Sequence, residues 1–147
     1  MAGVLLFHHA LGQTAGFHQF ADALRNAGHR VHTPDLFGGR CFATLEEGLA
    51  YATEAGFEEI IARGERAARK LPDDLVYMGF WLGVPCPQKL AQTRAGARAP
   101  IAANEHAELF LYAGSPHYFA DSSLRTYDAR AAALLRRRVR DFLRVRA

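Results

Sequence analysis

Short apolar runs alternate with amphipathic stretches along this chain. Val4 to His9 is a continuous apolar run, the pattern of a strand covered on both faces. Residues 14 to 28 carry Phe17, Phe20, Ala21 and Leu24 at helical spacing, with Thr14 placed to cap the start and Gly28 to close the end. Arg30 to Thr33 reads as a second strand stopped by Pro34. Thr44 to Lys70 is helical in pattern with a break expected at Gly56, and Thr44 with Glu47 has the spacing of a capping box. Leu75 to Phe80 reads as a third strand, Glu108 to Ala113 as a fourth, and Tyr127 to Val145 as the final helix. Strand–helix alternation of this kind predicts an α/β fold: an open, mostly parallel sheet of about four strands with helices on both faces. The expected strand order is 2-1-3-4.

The turn after the third strand changes the picture. Gly79-Phe80-Trp81-Leu82-Gly83 has the small-x-nucleophile-x-small spacing of a nucleophile elbow. Its glycines let the chain bend sharply enough to raise the central side chain at the mouth of the sheet. Chemistry there needs Ser, Cys or Asp, and the residue is Trp81. An indole donates one hydrogen bond and cannot form an acyl-enzyme. Pro85 and Pro87 follow closely, so the helix after the elbow is expected to begin a turn late.

With 147 residues, half of them hydrophobic and 22% charged, the chain fits a single globular domain over 1–147. No run reaches the length of a membrane span and no secretory leader is recognisable. Cys41 and Cys86 lie far apart, as in a reduced, cytoplasmic protein. The net charge of +3 comes from eight arginines between Arg125 and Arg146. Those arginines face an apolar stripe of Leu134, Leu135, Val139, Phe142 and Leu143 and lack interleaved aromatics. They read as the solvated side of an amphipathic helix, not as a nucleic-acid surface. Neither a nucleic acid nor a membrane is expected as partner. His8 and His9 are adjacent and point to opposite faces, and no HxxxH or HExxH pattern exists, so no metal is expected.

Several segments together resemble the dienelactone hydrolase family of the α/β-hydrolase fold. They are Phe7-His8-His9-Ala10 with Gly12, Gly28 to Phe37, the elbow, Pro87 to Arg94, and Glu108 to Gly114 with His117, Phe119, Ala120 and Asp121. The family hydrolyses small esters or lactones with a nucleophile, a histidine and an aspartate, and uses no cofactor. By this resemblance Trp81 occupies the nucleophile position and His117 that of the general base. The backbone N–H groups of Leu82 and Ala10 match the oxyanion donors, and His9 falls where the founding enzymes carry a glutamate. Family members carry about 50 more residues between about 95 and 107, which supply the triad acid. The chain thus reads as a reduced α/β-hydrolase-like protein, expected to be catalytically impaired. Two alternatives remain: an active hydrolase in which His117 works with Cys86 or directly on water, and a non-catalytic module that self-associates as a homo-oligomer. Glu105 is a candidate substitute for the lost acid. Ser115 reads as turn chemistry, Asp35 as capping or turn chemistry, and Ser122 and Ser123 as helix-start residues.

Overall fold

The computed structural model describes residues 1–93 and 118–145. Strand β1 (Gly3–Phe7) lies between β2 (Arg30–His32) and β3 (Val76–Gly79), giving a parallel sheet of order β2-β1-β3. Val4 pairs with Val31 on one side and with Val76 on the other, and Phe7 pairs with Gly79 at the carboxyl end. The central place of β1 explains its uninterrupted apolar run, because both of its faces are covered. The expected fourth strand, Glu108 to Ala113, lies outside the described residues. So do Glu105, Ser115 and His117.

Helix α1 (Ala15–Asn26) connects β1 to β2, while α2 (Leu45–Ala55) and α3 (Phe57–Ala68) connect β2 to β3. Right-handed crossovers running in opposite directions across the sheet place these helices on opposite faces. Alternation along β1 then divides its side chains between two cores. Val4 and Leu6 pack with Phe17, Phe20, Leu24 and Leu143, and Leu5 and Phe7 pack with Leu36, Phe37, Ile60 and Cys86.

Helix boundaries follow local chemistry. Thr14 Oγ1 accepts the Phe17 N–H at 3.2 Å. The other end of α1 closes in a Schellman motif, with His29 N–H on Leu24 O, Gly28 N–H on Arg25 O and Gly28 at φ 89°. Thr44 and Glu47 form the reciprocal capping box of α2. Gly56, at φ 83°, separates α2 from α3. The final helix, α5 (Ala129–Arg144), starts from Asp128, whose side chain accepts the Arg130 and Ala131 N–H groups. Its Leu135, Val139, Phe142 and Leu143 cover the α1 side of the sheet, and Arg130, Arg137, Arg140 and Arg144 point outward. Among the described residues no helix is long and apolar enough to cross a membrane.

Candidate functional site at the carboxyl ends of β1 and β3

β1 leads through α1 on one face to β2, whereas the chain leaving β3 turns to the opposite face, so the carboxyl ends of β1 and β3 bound the point where open α/β sheets leave a crevice. Three short segments meet there: His8 to Gly12 after β1, Phe80 to Gly83 after β3, and Tyr118 to Ser123.

The turn after β3 has the close packing an elbow needs. Phe80 N–H reaches back to Phe7 O at 3.1 Å, and a single 3-10 turn over Trp81–Gly83 follows. A Cβ on Gly79 would stand 2.5 Å from Gly83 O, and one on Gly83 would stand 2.5 Å from His8 O. Both glycines are therefore required by backbone approach. Trp81, at the apex, has φ 42° and remains 44% exposed. Helix α4 (Pro85–Thr93) begins at once with Pro85 as its first residue, a position where the missing N–H has no cost. The delay expected from the two prolines amounts to this 3-10 turn. Ala10 and Leu82 each lie three residues beyond the paired Phe7 and Gly79, and both are buried.

His8 and His9 diverge as expected. His8 turns toward Phe37, with ring centroids 4.8 Å apart. Its Nδ1–H donates to His9 O at 2.8 Å, and its Nε2 accepts the Leu36 N–H at 3.0 Å. Burial pushes the His8 pKa down, against the raising effects of the His9 carbonyl and the nearby Asp35 carboxylate. Asp35 itself accepts the Phe37 and Gly39 N–H groups, which is turn chemistry.

His9 is 3% exposed and points to the other side. Its Nδ1 accepts the Leu11 N–H at 3.2 Å, which leaves the proton on Nε2 for donation to Asp121 Oδ2 at 2.8 Å. Both ring nitrogens are engaged, so in this arrangement His9 has no lone pair free to act as a base. Asp121 is the hub. It also accepts the Thr14 hydroxyl, the Ser123 N–H at 2.9 Å and the Ser123 hydroxyl at 2.6 Å. Burial alone would raise its pKa, but the hydrogen bonds from His9, Ser123 and Thr14 outweigh it and hold the carboxyl well below the usual carboxylate range. Gly16 makes room for this carboxylate, since a Cβ there would collide with Oδ1.

No protein-family model matches this chain, and no curated protein matches it.

Ser122 and Ser123, expected at a helix start, sit instead in the turn that Asp121 organises, seven and six residues before α5 begins at Ala129. Cys86, the alternative nucleophile, is fully buried on α4 against Phe7 and Gly64. Burial, with Glu65 adding to it, pushes its thiol up to about 11, so the thiolate that would attack an ester is scarce at neutral pH. Next to His9 a cavity of about 20 Å³ is lined by Phe17, Phe20, Phe80, Tyr118 and Asp121, room for about one water molecule and not for an ester. Among the described residues no group of three His, Cys, Asp or Glu side chains is placed to hold a metal ion.

Two residues with roles here carried no such role in the sequence reading. Asp121 ties the tail of the chain to both His9 and the cap of α1. Tyr118 packs its ring 4.9 Å from His9 and 6.0 Å from Trp81. An Asp followed by two serines signals a turn locally, but nothing near it in sequence names His9 as the partner.

The buried pair of histidine clamps makes stability acid-sensitive in two stages. His8 has a depressed folded pKa, so its contribution is complete above its unfolded value of about 6.5 and is lost as pH falls below it. Asp121 is also depressed, and its contribution is present above about 3.9 and lost in more acidic solution. The thermal midpoint is expected to decline from pH 7 to 5 and again below pH 4. Calorimetry across this range checks it; a midpoint flat from pH 7 to 5 removes the His8 stage.

Proposed function

We propose that this chain is a dienelactone-hydrolase-like α/β protein that keeps the elbow of a hydrolase and has lost its hydrolytic chemistry. It holds a small ligand at the elbow, an ester or lactone by the resemblance, without cleaving it. The observation that carries this reading is Trp81 at the apex, with positive φ, between two glycines that cannot accept a side chain. The backbone there has the sharp bend that presents a nucleophile, and the side chain presented has no nucleophilic atom.

Two further features support it. Cys86 is turned into the core with a raised pKa. His9 spends both nitrogens on structure. A cytoplasmic, reduced setting belongs to the same reading, since Cys41 and Cys86 are both free thiols.

Hydrolysis of p-nitrophenyl acetate by the purified protein, beside its His117→Ala variant, tests this. Both are expected to match the uncatalysed background. Turnover in the unsubstituted protein that disappears with His117 would overturn the proposal and restore the active hydrolase.

A further inference from the structure

Among the described residues, the non-glycine positions with positive φ are Trp81 at 42° and Tyr118 at 62°. The elbow accounts for Trp81. Tyr118 opens the turn that Asp121 N–H closes on its carbonyl at 3.0 Å, and the first residue of a turn is not required to be left-handed. For a bulky side chain this backbone is an outlier that persists only where its surroundings over-determine it. What holds Tyr118 is the placement of its ring. The ring lies 4.9 Å from that of His9 and forms a wall of the cavity shared with Phe17, Phe20, Phe80 and Asp121. Trp81 meets the Tyr118 ring edge to face, at 6.0 Å and 89°, and does not line that cavity. The Tyr118 ring therefore stands between the cavity and the exposed elbow.

The space beside that ring has the character of a binding compartment, not of settled core. It lies at the carboxyl ends of β1 and β3, where open α/β sheets take their ligands. Well-packed interiors leave few voids as large as a water molecule, yet about 20 Å³ stays empty here. Burial pushes the Tyr118 phenol up to about 12, so the ring carries a protonated hydroxyl into this setting. The walls are aromatic and already meet edge to face. Phe20 and Phe80 stand 5.0 Å apart at 84°, and Phe17 and Phe80 stand 6.3 Å apart at 79°. Walls of this kind favour another ring. Asp121 already accepts four hydrogen bonds, so it has little to offer a cation. An anion would meet apolar walls next to that carboxylate. The occupant that fits is neutral and aromatic.

We propose that the Tyr118 ring is a self-inserted plug in a compartment for a small neutral aromatic ligand, and that such a ligand binds by displacing it. Asp121 keeps the neighbouring turn in place during the exchange, because its bonds to His9, Thr14 and Ser123 do not involve the Tyr118 side chain. The proposal deepens the ligand-holding reading by naming a ligand class and the place it enters, and it rests on that reading. Ester turnover and ring binding are separate readouts, so failure of one is distinguishable from failure of the other.

The probe is p-cresol, the tyrosine side chain as a free molecule. Tyr118→Gly removes the ring and suits the positive φ. This variant is expected to bind p-cresol saturably in saturation-transfer NMR, and p-cresol is expected to raise its thermal midpoint. The unsubstituted protein should bind about 10- to 100-fold more weakly, since an open state populated at about 1–10% lowers the apparent affinity by that fraction. Tyr118→Phe keeps the ring and should resemble the unsubstituted protein. Equal affinity in the unsubstituted protein and Tyr118→Gly would overturn the proposal. So would absence of binding to a Tyr118→Gly variant with an unchanged far-ultraviolet circular dichroism spectrum. A second measurement does not depend on that variant folding. With 3-fluorotyrosine incorporated, the fluorine signal missing from Tyr118→Phe belongs to Tyr118, and it is expected to move as p-cresol saturates the unsubstituted protein. A signal that stays in place, or no binding to the unsubstituted protein at about 100 times the Kd of Tyr118→Gly, would make Tyr118 a fixed wall and overturn the displacement.

Discussion

Replacing Asp121 by alanine is expected to lower the free energy of unfolding by about 3–4 kcal/mol, in the range seen when one member of a buried charged network is removed. The carboxylate accepts from His9, from the Thr14 hydroxyl and from both the N–H and the hydroxyl of Ser123. Alanine leaves these donors facing an apolar methyl group at a position only 5% exposed. Each orphaned buried donor costs about 1–3 kcal/mol, reduced where water enters the space vacated by the carboxylate. Asp121→Asn does not restore the site, because its amide presents a donor toward one set of donors whichever way it is turned. Urea denaturation checks this through a fall in midpoint at unchanged slope. A loss below about 1 kcal/mol would show that the four bonds are not jointly made, since that is the net worth of a single ordinary hydrogen bond. The same substitution also removes the brace behind Tyr118, because the His9 ring is no longer held from its Nε2 side.

Gly83→Ala is expected to cost about 2–3 kcal/mol, although alanine is the better helix former by about 1 kcal/mol. Its Cβ would stand 2.5 Å from His8 O and 2.9 Å from both the Phe7 carbonyl oxygen and the Phe7 Cβ. Two of these are backbone oxygens and none is the end of a flexible side chain, so relief requires moving the elbow away from β1. The comparison is Gly38→Ala, where a Cβ would meet nothing within 4 Å but the backbone is at φ 63°. There the penalty is conformational alone, about 1–2 kcal/mol. Thermal unfolding of the two variants side by side separates crowding from conformation. A Gly83→Ala variant no less stable than Gly38→Ala would mean that the elbow can slide on β1, and the close packing that presents Trp81 would lose its significance.

Much of the scaffold could be read from neighbouring residues. The apolar run of β1, the Thr14 cap, the Gly28 closure, the Thr44–Glu47 box and the break at Gly56 each depend on residues within one or two turns of one another. Hydrogen bonds between positions three or four apart, and side-chain periodicity, are local physics. The Gly79 and Gly83 spacing was equally legible, since a sharp strand-to-helix turn beside another strand admits no side chain at those positions. The turn chemistry of Asp35 was plain from its own neighbours. Ser122 and Ser123 were misread because a Ser pair after Asp serves a helix cap and an Asx turn alike, and the deciding partner, Thr14, is far along the chain.

The site itself was legible only in outline. Trp81, Ala10, Leu82 and His9 could be placed at the carboxyl ends of strands, but no pattern links His9 to Asp121 across 112 residues. By itself the sequence determined the alternation of strands and helices, the helix caps and breaks, and the absence of a nucleophile at the elbow, because these follow from residue identity and short-range spacing. The tertiary structure alone decided the burial that raises the Cys86 thiol, the engagement of both His9 nitrogens and the meeting of Trp81 with Tyr118. Those depend on which distant segments the closed cores force together, and on the loss of water around the groups they enclose.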